Sequence, residues 1–390
     1  MKITVLVNYS ESIISFRGEL LHEFVTAGHE VIVCAPGDHG DVSERLKKMG
    51  VTYRSIKLDR TGTNLFCDLT AFIKLIWLFL ELRPDVVICY TIKPVIYGSM
   101  AARLTGVTHV FSIITGLGYV FIGDSWKQKL LRPIVCSMYR LAFACNDIFF
   151  FLNDDDKTTF VTYGIVNKSD KCIRLDGEGI DICKYPYTVI DEECVDDCVM
   201  AINSHSVKQP ALKMISFLMI ARLIRDKGII EYVEAAKILT SKDSNIKFKL
   251  VGPLDSNPTS ISKIQINDWE ASGIIEYLGE TKNVRPFIQK SSVYVLPSYR
   301  EGLPRTVLEA MAMGRPIITT DAPGCRETVI DNDNGFLVPV KSAEALAFAM
   351  EKFILNPDLI EKMGKRSREI VEVKFDVTKV NAAIRRHMGL

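Results

Sequence analysis

Short β-branched apolar runs alternate with longer amphipathic stretches from the third residue onward, break off once, and begin again. The first series reads as strands at 3–7, 30–35, 53–58, 86–89, 109–114 and 147–152, with helices at 19–27, 42–49, 69–82, 98–104, 127–143 and 154–163 between them. The second reads as strands at 215–221, 247–251, 274–277 and 293–296, with helices at 229–240 and 284–289. Such alternation fits a parallel sheet covered by helices on both faces, with ligands at the carboxyl ends of its strands. At 390 residues the chain suits two such domains. An Asp-, Glu-, Cys-, Ser- and Asn-rich stretch, 187–213, reads as the connection between a domain at 1–186 and another at 214–358. Neither series opens on GxGxxG, which argues against a dehydrogenase, and a net charge of +1 argues against a nucleic-acid partner.

The stretch Ser298-Tyr-Arg-Glu301-Gly302-Leu303-Pro304-Arg-Thr306-Val307-Leu-Glu309 concentrates the chemistry. A buried strand ends at Pro297, a glycine loop follows, and Pro304 suits the first turn of a helix that stops at Gly314. Open backbone amides and the positive end of the helix dipole make an anion site there. Glu301 at its mouth and Glu309 inside the helix would repel a phosphate, so both are better used accepting hydroxyl hydrogens. A diphosphate flanked by hydroxyl-rich groups, as in a nucleotide sugar, fits both halves. A second motif, Arg222-Leu-Ile-Arg-Asp-Lys227-Gly228, puts a cation at a strand's carboxyl end and another at the next helix's entry, on the same rim.

Glu301, seven residues, then Glu309, with Gly-Leu-Pro after the first, resembles the signature of family 4 retaining glycosyltransferases of the GT-B fold, two Rossmann-like domains facing across a cleft. Phe217-Leu-Met-Ile-Ala-Arg222 and Leu296-Pro-Ser-Tyr are similar to bacterial enzymes that extend undecaprenyl-diphosphate-linked glycans, as in N-glycosylation and O-antigen assembly. The resemblance implies transfer of a hexose or N-acetylhexosamine from a UDP-sugar to a polyprenyl-diphosphate-linked sugar, with retention. It implies that Arg222 and Lys227 hold the donor diphosphate and act with Glu301 in catalysis. Glu309, Thr306, the Val307 amide, Leu303 and Gly302 are then expected to bind the donor, with Gly252 and Leu278 near the nucleobase. It also implies that the helical tail, 359–390, crosses back to the first domain.

In the first domain, Ser15-Phe16-Arg17 takes the place of the pair of glycines usual in the family's first loop, 9–18 here. Arg17 is expected to supply by charge the phosphate contact that loop would otherwise make. Thr115-Gly116 ends a strand that also faces the cleft, while His109 starts that strand rather than ending it. Asn153-Asp154-Asp155-Asp156 resembles the metal motif of the other large glycosyltransferase fold, but its setting between strand and helix reads as a helix cap. No metal and no cofactor beyond the UDP-sugar substrate is expected. The ten cysteines form no disulfide or zinc framework and read as reduced cytosolic thiols. Cys194 and Cys198, in an acidic segment, are the nearest approach to a metal cluster. The run 69–82 is interrupted by Lys74 and too short to span a bilayer.

The expected location is therefore cytoplasmic, peripheral on the inner face of the cell membrane. Residues 119–143 are the expected contact with anionic lipid, through Val120, Phe121 and Trp126 and the cations Lys127, Lys129, Arg132 and Arg140. A nucleotide-sugar 2-epimerase and a non-catalytic partner in a polysaccharide complex are the rival readings. The first lacks the Glu-seven-Glu loop, and the second is expected to have lost these charged residues.

Overall fold

The computed structural model describes residues 1–37, 40–58, 65–121, 125–167, 171–189, 214–241, 245–255, 257 and 259–390. The chain divides into two compact units, Met1–Gly179 with Val377–Leu390, and Ile180–Asp376. In the first, strands β1 (Lys2–Leu6), β2 (Glu30–Pro36), β3 (Thr52–Ile56), β4 (Val86–Tyr90), β5 (His109–Ile114), β6 (Ile148–Phe151) and β7 (Cys172–Arg174) form one parallel sheet in the order β3-β2-β1-β4-β5-β6-β7. Between them run α1 (Ser12–Thr26), α2 (Gly40–Lys48), α3 (Leu65–Leu82), α4 (Ser99–Leu104), α5 (Trp126–Cys145) and α6 (Asp154–Thr162). Phe149, Phe150 and Phe151 are fully buried, as expected of a strand covered on both faces.

The second unit holds strands β8 (Ile215–Ile220), β9 (Ile246–Val251), β10 (Glu276–Tyr277), β11 (Val293–Leu296), β12 (Ile317–Thr320) and β13 (Gly335–Val338), again all parallel, in the order β10-β9-β8-β11-β12-β13. Its helices are α7 (Ile229–Thr240), α8 (Lys263–Ala271), α9 (Arg285–Gln289), α10 (Arg305–Ala312), α11 (Ala343–Leu355) and α12 (Asp358–Ile370). Phe217 stacks on Phe248 at 5.3 Å and the whole of β11 is buried.

Three expectations about layout change. Helix α1 begins at Ser12, so most of the stretch expected to be a loop after β1 is helical. Ile13, Arg17, Leu20, Leu21 and Phe24 are buried at helical spacing, and Gly18 sits inside that face without interrupting it. The tail is not one helix: α12 ends in a wide turn, Val371–Phe375, and Asp376 is extended before α13 (Val377–Met388) starts in the first unit. The return to the first unit thus falls at 377 rather than 359, and the outward crossing lies between Gly179 and Ile180 rather than at 186. The Ile180 N–H donates to the Phe375 carbonyl at 2.8 Å, so the outgoing and returning strands meet in the second unit. Most of the expected connection at 187–213, with Cys194 and Cys198, lies outside the described residues.

Candidate active site

Each sheet reverses its winding once, between β1 and β4 and between β8 and β11. Such a reversal leaves a crevice at the carboxyl ends of the two strands concerned. In the second unit both charged motifs land there: Arg222 and Lys227 follow β8, and Glu301 follows β11. Backbone contacts fasten the two loops together. The Tyr299 N–H donates to the Asp226 carbonyl at 2.9 Å, and the Ser298 hydroxyl donates to the same oxygen at 3.2 Å. The loop after β12 adds a third layer, since the Glu301 N–H donates to the Pro323 carbonyl at 2.9 Å. Gly324 then lies so close that a Cβ there would sit 2.2 Å from the Glu301 carbonyl oxygen, and its φ of +79° also excludes most side chains. The Thr320 hydroxyl donates to the Ser298 carbonyl beneath. Glu301 is therefore held by a stack of three strand-end loops.

Lys227 and Glu301 form an ion pair, mostly sheltered from solvent. Arg222, more exposed, pairs with Asp255 at 3.0 Å. Both cations expected to hold phosphate are thus matched by carboxylates within the protein. A buried thiol, Cys325, lies under the same loop, and burial, with Glu301 nearby, pushes it up to about 12. It is too basic to act as a thiolate.

Glu309 lies deeper. It is 6% exposed, and its Oε1 accepts hydrogen bonds from the Tyr185 hydroxyl at 2.8 Å and Arg305 Nε at 3.0 Å. Burial pushes its carboxyl above the usual carboxylate range, with Arg305 and Tyr185 opposing. Pro304 caps α10 rather than opening it, and the Val307 N–H, expected to face the donor, donates to the Pro304 carbonyl at 3.1 Å while its side chain is buried in the core. The Thr306 hydroxyl points back to the Ile220 carbonyl at 3.4 Å. Leu303 packs against the core and Gly302 completes the loop. Gly252 sits where the loops after β9 and β10 meet: its N–H donates to Gly279 and its carbonyl accepts from Tyr277. Leu278 continues the pairing with an N–H to Leu250 at 2.9 Å.

In the first unit the structure corrects the reading of Arg17. It lies on α1, 5% exposed, with Nη2 on Glu178 at 2.8 Å and its guanidinium 4.0 Å above the Tyr90 ring. Its charge is used within the protein. Ser15 is exposed and Phe16 half-buried on the same helix, and Thr115 and Gly116 follow β5. Asn153 does cap α6, accepting from the Asp156 N–H at 2.7 Å. Among the described residues no group of three metal-ligating side chains converges.

Sequence reading missed Tyr185, Arg305, Asp255 and Gly324. Arg305 had a signal, four residues before Glu309 on one helix. Tyr185 had none, because it reaches Glu309 only through the fold.

Two parallel α/β domains with this crevice are the GT-B fold, and the chain is a glycosyltransferase. Residues 203–370 match the family described as glycosyl transferases group 1, and residues 15–165 match a glycosyl transferase 4-like domain. The chain is 29% identical to the N,N'-diacetylbacillosaminyl-diphospho-undecaprenol alpha-1,3-N-acetylgalactosaminyltransferase of Campylobacter jejuni, over 95% of this chain and 93% of that protein. Identity to the UDP-Gal:alpha-D-GlcNAc-diphosphoundecaprenol alpha-1,3-galactosyltransferase of Escherichia coli is 24%, over 81% of this chain and 78% of that one. The fold superimposes on Anabaena HepE, solved with UDP and glucose, with a TM-score of 0.75 at 17% identity, covering 100% and 99% of the two chains.

Proposed function

We propose that the protein transfers a hexose or N-acetylhexosamine from a UDP-sugar to a sugar carried on a polyprenyl diphosphate, with retention. The observation that carries this reading is the Lys227–Glu301 pair at the reversal between β8 and β11, beside the N-terminus of α10. The named relatives, which act on undecaprenyl-diphosphate-linked sugars, support the substrate class. Donor phosphate takes over Lys227 and Arg222, while Glu301 and Glu309 accept from sugar and ribose hydroxyls. The bond from the sugar's anomeric carbon to the β-phosphate oxygen breaks as the acceptor oxygen bonds to that carbon on the same face. The acceptor proton passes to the departing phosphate. Release of UDP from a UDP-sugar only when a sugar-diphosphate-polyprenol is added tests this. UDP release indifferent to that lipid overturns it, and an epimerised nucleotide product indicates the epimerase instead.

Metal independence belongs to the same reading, because Arg222, Lys227 and the helix terminus supply the positive charge that the leaving diphosphate needs. Transfer is expected to persist in excess EDTA. Abolition by EDTA with recovery on adding manganese or magnesium would place a required cation in the site.

A lipid-linked acceptor also requires the enzyme to reach a membrane surface. No helix among the described residues is long and apolar enough to cross one. Helix α5 suits peripheral contact: Trp126, Leu130, Ile134 and Leu141 project from it into solvent, and Lys127 lies 5.6 Å over the Trp126 ring. Helix α3, in the same layer beyond α4, adds a second exposed stripe of Leu69, Ile73, Trp77 and Leu80. Arg132 and Arg140 contribute less than the sequence suggests. The former donates to the Val120 carbonyl and the Tyr163 hydroxyl, the latter to the Gly164 carbonyl at 2.7 Å. Lys127 and Lys129 therefore carry the attraction, each contributing about 1 kcal/mol near an anionic surface. Wild-type protein is expected to float with anionic liposomes and K127E/K129E to remain largely in solution. Equal flotation of the two would remove α5 from the contact.

A further inference from the structure

A short strap, residues 184–189, runs across the second unit and is fastened by three arginines from three separate places. Arg315 is fully buried, and its guanidinium donates to the Thr188 carbonyl and hydroxyl, both at 2.8 Å. Arg368 on α12 donates to the Tyr185 carbonyl at 2.9 Å and to the Ala312 carbonyl at the end of α10 at 2.7 Å. Arg285 at the start of α9 reaches the Lys184 carbonyl at 3.4 Å. The Thr188 N–H closes on the Met313 carbonyl at 3.3 Å. An irregular segment held by that many charge-assisted bonds has a fixed position, and the side chain it delivers is the Tyr185 hydroxyl, 2.8 Å from Glu309 Oε1.

Glu309 meets two donors on the same oxygen. Tyr185 approaches from the strap and Arg305 from one turn earlier on α10, while Oε2 has no partner among the described residues. A carboxylate pinned by one oxygen presents the other in a fixed direction. We propose that Tyr185 is a positioning residue for the donor site: with Arg305 it fixes Glu309 Oε1, so that Oε2 is held ready to accept a hydroxyl of the nucleotide-sugar donor. The inference rests on the proposed donor role of Glu309 and adds to it a residue from outside both charged motifs. The same contact helps keep Glu309 ionised. Burial raises the carboxyl, and Arg305 and Tyr185 are the groups that oppose it. Of the other groups near α10, Tyr294 on β11 is buried and itself raised, and Arg368 is engaged by carbonyls.

The test is calorimetric titration of the full chain with UDP, using wild type, Y185F, E309Q and the double variant, each first checked for an unchanged melting temperature. Y185F keeps the ring and removes only the hydroxyl. It is expected to weaken UDP binding by about tenfold, the order of loss for a hydrogen bond to a charged group. In the E309Q background the same change is expected to have little further effect, because both substitutions break one linkage. The sign with pH follows from the carboxyl. Without the hydroxyl Glu309 protonates at a higher pH, so the gap between Y185F and wild type should widen as the pH is lowered. A Y185F loss that persists undiminished beside E309Q, or no loss at all, overturns the positioning role. If E309Q itself binds UDP like wild type, the donor role of Glu309 fails first, and that result is distinct from either.

Discussion

Glu301→Ala is expected to lower sugar transfer at saturating donor by about ten- to a hundredfold, the range for losing a charge-assisted contact made in the transition state. The affinity for UDP should not fall with it. In the free protein Glu301 neutralises Lys227, and donor phosphate must take that cation over. Removing the carboxylate frees Lys227 for phosphate, so UDP binding should hold or tighten while turnover drops. Lys227→Ala should lose both. Arg222→Ala should lose binding less steeply, since Arg222 is the more exposed cation and already shared with Asp255. Rapid-quench turnover and UDP calorimetry on the three variants separate these patterns. Near-normal turnover in Glu301→Ala, with an unchanged circular-dichroism spectrum, would remove Glu301 from catalysis.

Gly228→Ala is expected to be strongly damaging although it adds a single methyl group. Gly228 joins Lys227 to α7 at φ +76°, and a Cβ there would lie 2.1 Å from the Pro297 carbonyl oxygen. That oxygen belongs to the backbone of the Glu301 loop, so nothing flexible can yield. The left-handed backbone costs about 1–2 kcal/mol, and displacing the loop a further roughly 1–3 kcal/mol. For a unit of this size each kcal/mol lowers the melting temperature by about 2–4 °C. Gly273→Ala is the control. Its φ is +67° in the same unit, but nothing lies within 4 Å of the added carbon. Differential scanning calorimetry should show Gly228→Ala melting well below Gly273→Ala, with turnover lost beyond what the melting shift explains. Equal melting of the two would mean that the loops after β8 and β11 are not packed as described.

The sequence alone determined what is periodic or local. Strand–helix alternation, with its one interruption, was enough for two parallel α/β domains, because each period reflects which face of an element meets the core. The charged motifs were legible because a strand end, a glycine and a helix start lie within a few residues of one another around Lys227 and Glu301. The Asn153 cap was legible for the same reason.

What lay beyond reading was every contact whose partner is remote in the chain. Arg17 looked like a loop cation facing a cleft, but Ile13, Leu20 and Leu21 place it on a helical face where Glu178 takes its charge. The tail looked like one helix, although a wide turn and an extended Asp376 divide it between the two units. Lys227 and Glu301 are separated by 74 positions, and Tyr185 and Glu309 by 124, so nothing local pairs them. Those pairings follow from strand order: β11 lies beside β8 rather than beside β10, and only that placement brings the two loops to one crevice. Propensity and pattern act over a few residues and set the elements. The choice of neighbouring strands is made by burying all the faces at once, and so the tertiary structure alone decided which charges meet.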